Sequence, residues 1–405
     1  MQESRGDSGS IRFMPQTTLD ITAVRSRFSS LGDDFAFFDA PGGTQVPDEV
    51  GHAMAMSLRE ASANLGAPYE TSRRVQGILE DAEARSAGFL GCSAAEIVFG
   101  LNMTSINFGL TRTASRDWQR GDEILSSSLD HDGNVAPWLE VAADRGLVVK
   151  YIDVRADSTL DLDDLESKLS DRTRVVAFTW ASNAVGTVTD ARRICELAHR
   201  AGALAWVDAV HYAAHRPVDV RAIDADVLLC SSYKWCGPHL GIAYVRESVG
   251  QDWRPYKARP AATTPMGRRF STGTLPYEML AGLTATYRYL DDVGGYAAIE
   301  PYEQQLADRF VAGLPDGVRL YGLPGTEGRL PTFLITVAGV DSNDVAQRLA
   351  QRGYGVWSHD SWYSLSLYRS LGYESSAVRI GIAHYNTADE VDGLLRELTD
   401  IARGA

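Results

Sequence analysis

Three apolar segments place the strongest constraint on the fold. They are RVVAFTW at 174–180, ALAWVDAV at 203–210 and DVLLCSS at 226–232. Each has the length of a strand, and the nearly continuous apolar character is typical of strands covered on both faces. Apolar residues at helical spacing separate the first two segments, between residues 192 and 200. Repeated units of this kind predict an α/β fold with a mainly parallel sheet and helices on both faces.

The same alternation extends along the chain and then changes. Further strands are expected at 96–100, 123–128, 147–154 and 241–245, with helices from about Thr104 and over 135–145. After about residue 290, strands at 332–339 and 378–384 alternate with helices at 342–352 and from about residue 387. We therefore expect an N-terminal arm (1–35), a large domain (36–289) and a small α+β C-terminal domain (290–405) to which the arm contributes.

Composition argues against several classes of protein. The chain has 405 residues, of which 44% are hydrophobic, so it can bury a sizeable core. Its 53 acidic and 39 basic residues give a net charge of −14, which opposes binding to nucleic acid or to an anionic membrane surface. With no long apolar run and no apolar signal core, a cytoplasmic protein is expected. The four cysteines are expected to be reduced core thiols: Cys92, Cys195, Cys230 and Cys236.

Two charged residues stand at the ends of buried strands, where ligands bind in such sheets. Asp208 ends one apolar segment and Lys234 follows the next. Alone, Asp208 could cap a turn and Lys234 could extend to solvent. Together they suit pyridoxal phosphate (PLP). A carboxylate keeps the pyridine nitrogen protonated, and a lysine forms the Schiff base and moves protons.

Polar residues after two other strands fit the same cofactor. The segment 102–105 offers hydroxyls and amides at a helix N-terminus for a phosphate, and Ser231 could add a hydroxyl. A helix cap would also explain Thr104 and Ser105. His131 could lie flat against an aromatic ring, or be a loop histidine without a role. The HYAAH segment at 211–215 has metal-ligand spacing but no apparent third ligand, so no metal is expected.

The order of these motifs resembles the cysteine desulfurase branch of the class V aminotransferases, which are PLP enzymes of fold type I. The resemblance runs from FFDAPGGTQVP at 37–47 to the C-terminal AHYNTADEVDGLL. It implies a large domain with a seven-stranded-type sheet, a small C-terminal domain and a homodimer with shared active sites. The matching motifs are NMTSIN, DHDGNVAPW, SNAVGTV, VDAVHYAAHRPVDV, SSYK, RRFSTGTLP and VRIGIAHYNT.

Roles for individual residues follow from this resemblance. Lys234, Asp208 and His131 would be catalytic, with His131 stacked on the cofactor. Arg379 would clamp the substrate α-carboxylate, and Asn183 would approach both the ring hydroxyl and the substrate. The remaining implied cofactor contacts are Thr104, Met103 (which replaces a family threonine), His211, Ser231, Tyr233 (where a phosphate-binding histidine is usual) and Thr274 (from the partner subunit).

One departure from the family bears on the reaction. Desulfurases carry a nucleophilic cysteine on the loop before the arginine segment, whereas residues 354–376 contain none and no cysteine follows Cys236. We expect Cys236 to be a packing residue. The loop is instead rich in aromatics, and Trp357, His359 and Tyr363 are expected to contact a bulky substrate. The alternative is that these aromatics pack against the large domain.

The expected activity is a β-elimination from a cysteine S-conjugate, through a Lys234 aldimine and a quinonoid, by a C–S lyase. The alternatives are epimerisation, transamination, or decarboxylation with oxidative deamination of a similar amino acid in a biosynthetic pathway. A PLP-fold protein that binds a ligand without turnover is the alternative from another class.

Overall fold

The structure is a computed structural model that describes residues 19–32, 34–358, 363–372 and 377–404. Most of the predicted N-terminal arm therefore lies outside the described residues. The strands are β1 (Ala36–Phe37), β2 (Ile97–Gly100), β3 (Glu123–Ser127), β4 (Val148–Ile152), β5 (Thr173–Thr179), β6 (Leu204–Asp208), β7 (Val227–Ser231), β8 (Gly241–Val245), β9 (Val318–Leu320), β10 (Thr332–Val337), β11 (Tyr354–Gly355), β12 (Trp357–Ser358) and β13 (Val378–Gly381).

The helices connect these strands and cover the sheets. They are α1 (Ile21–Arg25), α2 (Asp48–Glu60), α3 (Glu70–Leu90), α4 (Met103–Ala114), α5 (Ala136–Arg145), α6 (Leu162–Lys168), α7 (Ala191–Arg200), α8 (Glu247–Gly250), α9 (Tyr277–Asp292), α10 (Gly295–Ala312), α11 (Ser342–Gln351), α12 (Leu365–Ser370) and α13 (Ala388–Arg403). Within the described residues, no helix is long and apolar enough to span a membrane.

A seven-stranded sheet forms the centre of the large domain, in the order β2-β8-β7-β6-β5-β3-β4. Strand β8 runs antiparallel to both neighbours, and the other recorded pairings are parallel. Along β5, Val176 and Phe178 belong to one core cluster, whereas Val175 and Ala177 belong to another. The sheet is thus covered on both faces, which explains its apolar strands and confirms the predicted α/β fold.

A four-stranded antiparallel sheet, in the order β12-β13-β10-β9, forms the small C-terminal domain with its own apolar core. The N-terminal segment reaches this region, because β1 pairs with β11 and Arg25 of α1 donates a hydrogen bond to the Glu390 carboxylate at 2.8 Å. The expected boundary at residues 289 and 290 falls inside α9. The division at that point stays a prediction.

Local sequence signals account for the ends of the helices that the site uses. Helix α4 begins where the Asn102 side chain accepts a hydrogen bond from the Ser105 amide at 2.8 Å. Helix α13 begins at a capping box in which Thr387 and Glu390 each bond the other's backbone amide. The four cysteines all lie within the described residues and form no disulfide; Cys195, Cys230 and Cys236 are buried as predicted, whereas Cys92 is only partly buried.

Candidate active site

A cavity of about 640 Å³ opens at the carboxyl ends of the parallel strands, where ligands bind in sheets of this kind. It brings together twelve of the predicted site residues: Met103, Thr104, His131, Asn183, Asp208, His211, Ser231, Tyr233, Lys234, Trp357, Tyr363 and Arg379. Thr274 lies in a separate depression with Leu101 and Ser105. His359 lies outside the described residues.

Asp208 is the last residue of β6, at the floor of the cavity, and its side chain is almost completely buried. One carboxylate oxygen accepts a hydrogen bond from the Val210 amide at 2.9 Å. Burial raises the pKa of this carboxyl to about 7, against the opposing effects of that hydrogen bond and of Lys234. Such a carboxylate is stabilised by a cation beside it, and a protonated ring nitrogen meets that requirement.

Lys234 ends a short 3-10 turn, Ser232–Lys234, that directly follows β7. Its Nζ donates a hydrogen bond to the Pro41 carbonyl oxygen and lies 4.8 Å from the centre of the Tyr233 ring. The amine therefore points across the cavity, toward the loop that follows β1. An amine at this position can reach an aldehyde bound between Asp208 and the loop.

The segment between β2 and α4 forms the polar end of the cavity. Its last residue, Asn102, caps α4, so the hydroxyls of Thr104 and Ser105, in the first turn of the helix, are not used as caps. The Met103 amide donates a hydrogen bond to Ser231 Oγ at 3.0 Å, which leaves the Ser231 proton for another acceptor. A helix N-terminus flanked by hydroxyls is a favourable site for an anion.

His131 follows β3, and its ring stacks on the Tyr363 ring with centroids 5.2 Å apart and planes 7° apart. Its Nδ1 accepts a hydrogen bond from the Gly133 amide at 2.9 Å. Burial, together with Lys234 and Arg379, lowers the pKa of His131 to about 3. The imidazole is therefore neutral near pH 7 and presents a flat face, so the alternative of a loop histidine without a role is not favoured.

A buried aspartate that the sequence analysis missed fixes this loop. Asp130 accepts hydrogen bonds from Ser127, from Asn134 at 2.7 Å and from the Thr179 amide at 3.1 Å. Burial raises its pKa to about 7. The DHDGN motif contained the signal, because an aspartate beside a buried strand needs hydrogen-bond partners.

Arg379, on β13, and Asn183 meet on the side of the cavity that faces the small domain. The guanidinium of Arg379 donates to the Asn183 carbonyl oxygen at 3.1 Å and lies 5.8 Å from the centre of the Trp357 ring. Ser364, which the sequence analysis did not single out, donates to Asn183 Oδ1 at 3.2 Å. With Oδ1 used in this way, the Asn183 NH₂ group can serve as a donor toward a ligand.

The HYAAH histidines have separate partners. His211 Nε2 lies 2.9 Å from the Thr332 hydroxyl, and burial holds the pKa of His211 well below its usual range. His215 Nδ1 lies 2.8 Å from the buried Glu303 carboxylate. His211 is thus a neutral group at the cavity wall, whereas His215 pairs with α10 and does not line the cavity.

These features fit PLP in size and chemistry. The helix N-terminus suits a phosphate, the buried carboxylate suits a pyridinium nitrogen, the flat imidazole suits the ring face, and the lysine amine suits the aldehyde. The guanidinium on the opposite side suits a substrate carboxylate.

Comparisons with known proteins agree with this geometry. The family model for aminotransferase class V matches residues 36–394. A probable cysteine desulfurase 2 of Mycobacterium leprae is 32% identical, over 96% of this chain and 99% of that protein. The apo structure of a cysteine desulfurase from Thermococcus onnurineus NA1 aligns with a TM-score of 0.89 at 27% identity, over 95% of this chain and 98% of that chain.

A more distant likeness shows the fold alone. Two structures of C-DES, one described as a cystine C–S lyase and the other with glycine covalently linked to the PLP cofactor, align with TM-scores of 0.80 and 0.81 at 19% identity. They cover 91% and 93% of this chain and 98% and 99% of those chains.

The match to the family model and the relative that is 32% identical show the family. The chain belongs to the class V aminotransferases, on their cysteine desulfurase-like branch, as a PLP-dependent enzyme that acts on an amino acid.

Proposed function

We propose that the chain is a C–S lyase that eliminates a thiol from the β-carbon of a cysteine S-conjugate. The observation that carries this proposal is the position of the thiols. No cysteine lines the cavity in the described part of the chain, and residues 354–376 contain none. Cys236, the cysteine nearest Lys234 in sequence, is completely buried, and burial raises its pKa to about 12. A neutral, enclosed thiol does not accept sulfur from a substrate.

PLP, when bound, supplies an aldehyde that condenses with amines and a protonated ring that accepts an electron pair from the substrate α-carbon. Asp208 would hold the proton at the ring nitrogen. Arg379 would bind the substrate α-carboxylate and so orient the Cα–H bond toward the lysine. Lys234 Nζ would then take the α-proton.

Loss of the α-proton allows the bond between the β-carbon and sulfur to break, and the electron pair leaves with the sulfur. The leaving thiolate takes up a proton, and the remaining three-carbon fragment hydrolyses to pyruvate and ammonia. His131, neutral near pH 7, would hold the ring plane and take no proton. Because no cysteine lines the described part of the cavity, no thiol receives the sulfur. The sulfur therefore departs still bonded to its own carbon substituent.

The mouth of the cavity favours a large substituent on that sulfur. Trp357 and Tyr363 line the cavity and remain 43% and 52% exposed. Exposed aromatic faces beside a polar site are suited to stack on a bulky group. Trp357→Ala and Tyr363→Ala are expected to raise KM for a bulky conjugate about tenfold more than KM for a small one. Equal effects on both substrates would contradict this selectivity.

A homodimer with shared active sites is part of the proposal. Thr274 lies outside the cavity of its own protomer, in a depression with Leu101 and Tyr256, where a partner subunit could bring its own cofactor close. Light scattering should give a dimer. The Thr274→Ala variant should stay dimeric while its affinity for PLP falls, and an unchanged affinity would remove Thr274 from the site.

Titration of the PLP-loaded protein with L-cysteine and with a bulky cysteine S-conjugate tests the function. We expect the visible absorbance to change with the conjugate, with equal amounts of pyruvate and free thiol released. Alanine and enzyme-bound persulfide from L-cysteine would instead show a desulfurase. A spectral response without pyruvate would move the activity to epimerisation, transamination or decarboxylation. The Lys234→Ala variant serves as the control that should release neither pyruvate nor thiol.

A further inference from the structure

We propose that His239 binds the phosphate of PLP, in place of the histidine that precedes the Schiff-base lysine in the family. Tyr233 occupies that position here, and Met103 replaces a family threonine in residues 102–105, which we call the phosphate loop. This inference rests on the cofactor assignment, not on the proposed C–S lyase reaction.

The register of the central sheet brings His239 to the phosphate loop. Strand β8 is antiparallel to both of its neighbours, and Gly241, its first residue, pairs with Gly100 of β2 and with Ser231 of β7. Continuing both registers two residues beyond the strands places His239 opposite Asn102 on one side and opposite Tyr233 on the other. His239 thus stands between the loop that begins α4 and the turn that carries Lys234.

Close approach of the backbones reinforces this placement. A Cβ on Gly241 would lie 2.6 Å from the Asn102 carbonyl oxygen, so only glycine lets β8 begin directly against the phosphate loop. His239 lines the same cavity as Thr104 and Ser231. The imidazole and the hydroxyls of this end therefore share one space.

The residues on both sides of His239 are held by a single serine. Ser232 Oγ donates a hydrogen bond to the Pro238 carbonyl oxygen at 2.6 Å, and the Ser232 amide donates to the Leu240 carbonyl oxygen at 2.9 Å. Leu240 and Pro238 are buried, whereas His239 is exposed. The backbone is thus fixed on either side of a side chain that remains available to a ligand.

Tyr233 supports the imidazole. The two rings stack with centroids 4.8 Å apart and planes 19° apart. The Tyr233 ring also lies beside Gly43, where a Cβ would be 3.4 Å away. Stacking uses the face of the imidazole and leaves both edge nitrogens for hydrogen bonds. Tyr233, which stands where the family has a phosphate-binding histidine, therefore holds the His239 ring in position.

The charge of the phosphate explains why another residue is needed in place of the usual histidine. The phosphate carries up to two negative charges, and the groups already described at this end, α4 amides and serine and threonine hydroxyls, are neutral. Lys234 and Arg379 also line the cavity, but their proposed roles are at the aldehyde and at the substrate carboxylate. An imidazole can donate a charge-assisted hydrogen bond to the phosphate, which is about twice as strong as a neutral one.

The test compares the affinity of the cofactor-free dimer for PLP with its affinity for pyridoxal, which lacks the phosphate. Equilibrium titrations followed by visible absorbance give both dissociation constants without any turnover. In His239→Ala, the dissociation constant for PLP is expected to rise about 10- to 100-fold while that for pyridoxal stays unchanged. His239→Gln, which keeps a donor, should recover part of the loss. His52→Ala changes an exposed histidine on α2 and is the matched control.

Three outcomes would overturn the proposal. Unchanged PLP affinity would remove His239 from the phosphate site. An equal loss for PLP and pyridoxal would show that His239 acts on the ring or the fold. Unchanged cofactor affinity with a raised KM for the amino acid would assign His239 to the substrate instead. If His239→Ala does not fold, the same comparison is made with His239→Gln, whose smaller loss must again be confined to PLP.

Discussion

Replacing Asp208 by asparagine should stabilise the cofactor-free protein while it abolishes catalysis. An aspartate in the unfolded chain titrates near 3.8, whereas burial raises the pKa of Asp208 in the folded chain to about 7. Between these values the folded state binds more protons than the unfolded state. The free energy of unfolding therefore falls as pH rises through this window and stays lower above pH 7. An asparagine at this position cannot ionise, so the free energy of unfolding of the variant does not fall for this reason.

The size of the effect follows from the shift in pKa. A difference of about three pKa units corresponds to about 4 kcal/mol at alkaline pH, since each unit is worth about 1.4 kcal/mol. From about pH 5.5 to about pH 8.5, the advantage of Asp208→Asn over the natural chain should grow by about 2 kcal/mol. Burial of the Asp208 carboxylate thus costs stability until a cation pairs with it.

Chemical denaturation of the cofactor-free proteins at several pH values measures this difference. With PLP bound, the protonated ring nitrogen beside Asp208 should remove the advantage of the variant or reverse its sign. An advantage that does not change with pH, or that persists when PLP is bound, would refute the assignment of Asp208 to the ring nitrogen. Thr399→Ala, on the outer helix α13 and away from the cavity, is the control and should show no pH-dependent difference.

Three further substitutions test separate parts of the site. Arg379→Lys should lower kcat/KM about 10- to 100-fold, mainly through KM, because an ammonium cannot bind a carboxylate bidentately; an unchanged KM would place the substrate carboxylate elsewhere. Cys236→Ala should keep full activity and lose about 1 kcal/mol of stability as a core thiol, whereas loss of activity at normal stability would make Cys236 a participant. Ser364→Ala should lower kcat/KM about fivefold, because the Asn183 side-chain amide would lose the hydrogen bond that orients it. A double variant with Asn183→Ala checks this cause, because the losses of the two single variants should not add.

The sequence predicted the sheet well because its strands are buried on both faces. The segments expected at 174–180, 226–232 and 241–245 became β5, β7 and β8 with shifts of at most one residue at either end. Helices α2, α3, α9 and α10 escaped the sequence analysis. In α10, Pro301 lies inside the helix, where proline normally predicts a helix end.

The candidate cofactor residues were also accessible from sequence, because a charge at the end of an apolar strand has few explanations. Asp208 and Lys234 are examples, and the cavity contains both. Asp130 and Ser364 were missed, because an aspartate in a loop and a serine among aromatics are unremarkable until the tertiary structure shows their partners.

The sequence by itself determined the α/β class, the family and the absence of a loop thiol, since these depend on residue types and on their order along the chain. Only the tertiary structure decided which groups share one cavity, which hydroxyls are left for a ligand once Asn102 caps α4, and that the His239 ring stacks on Tyr233. The physical reason is distance. His239 lies far from Asn102 in sequence, and the antiparallel pairing of β8 with β2 brings the two together. Burial, which sets the pKa values of Asp208, His131 and Cys236, likewise arises only when separate segments pack.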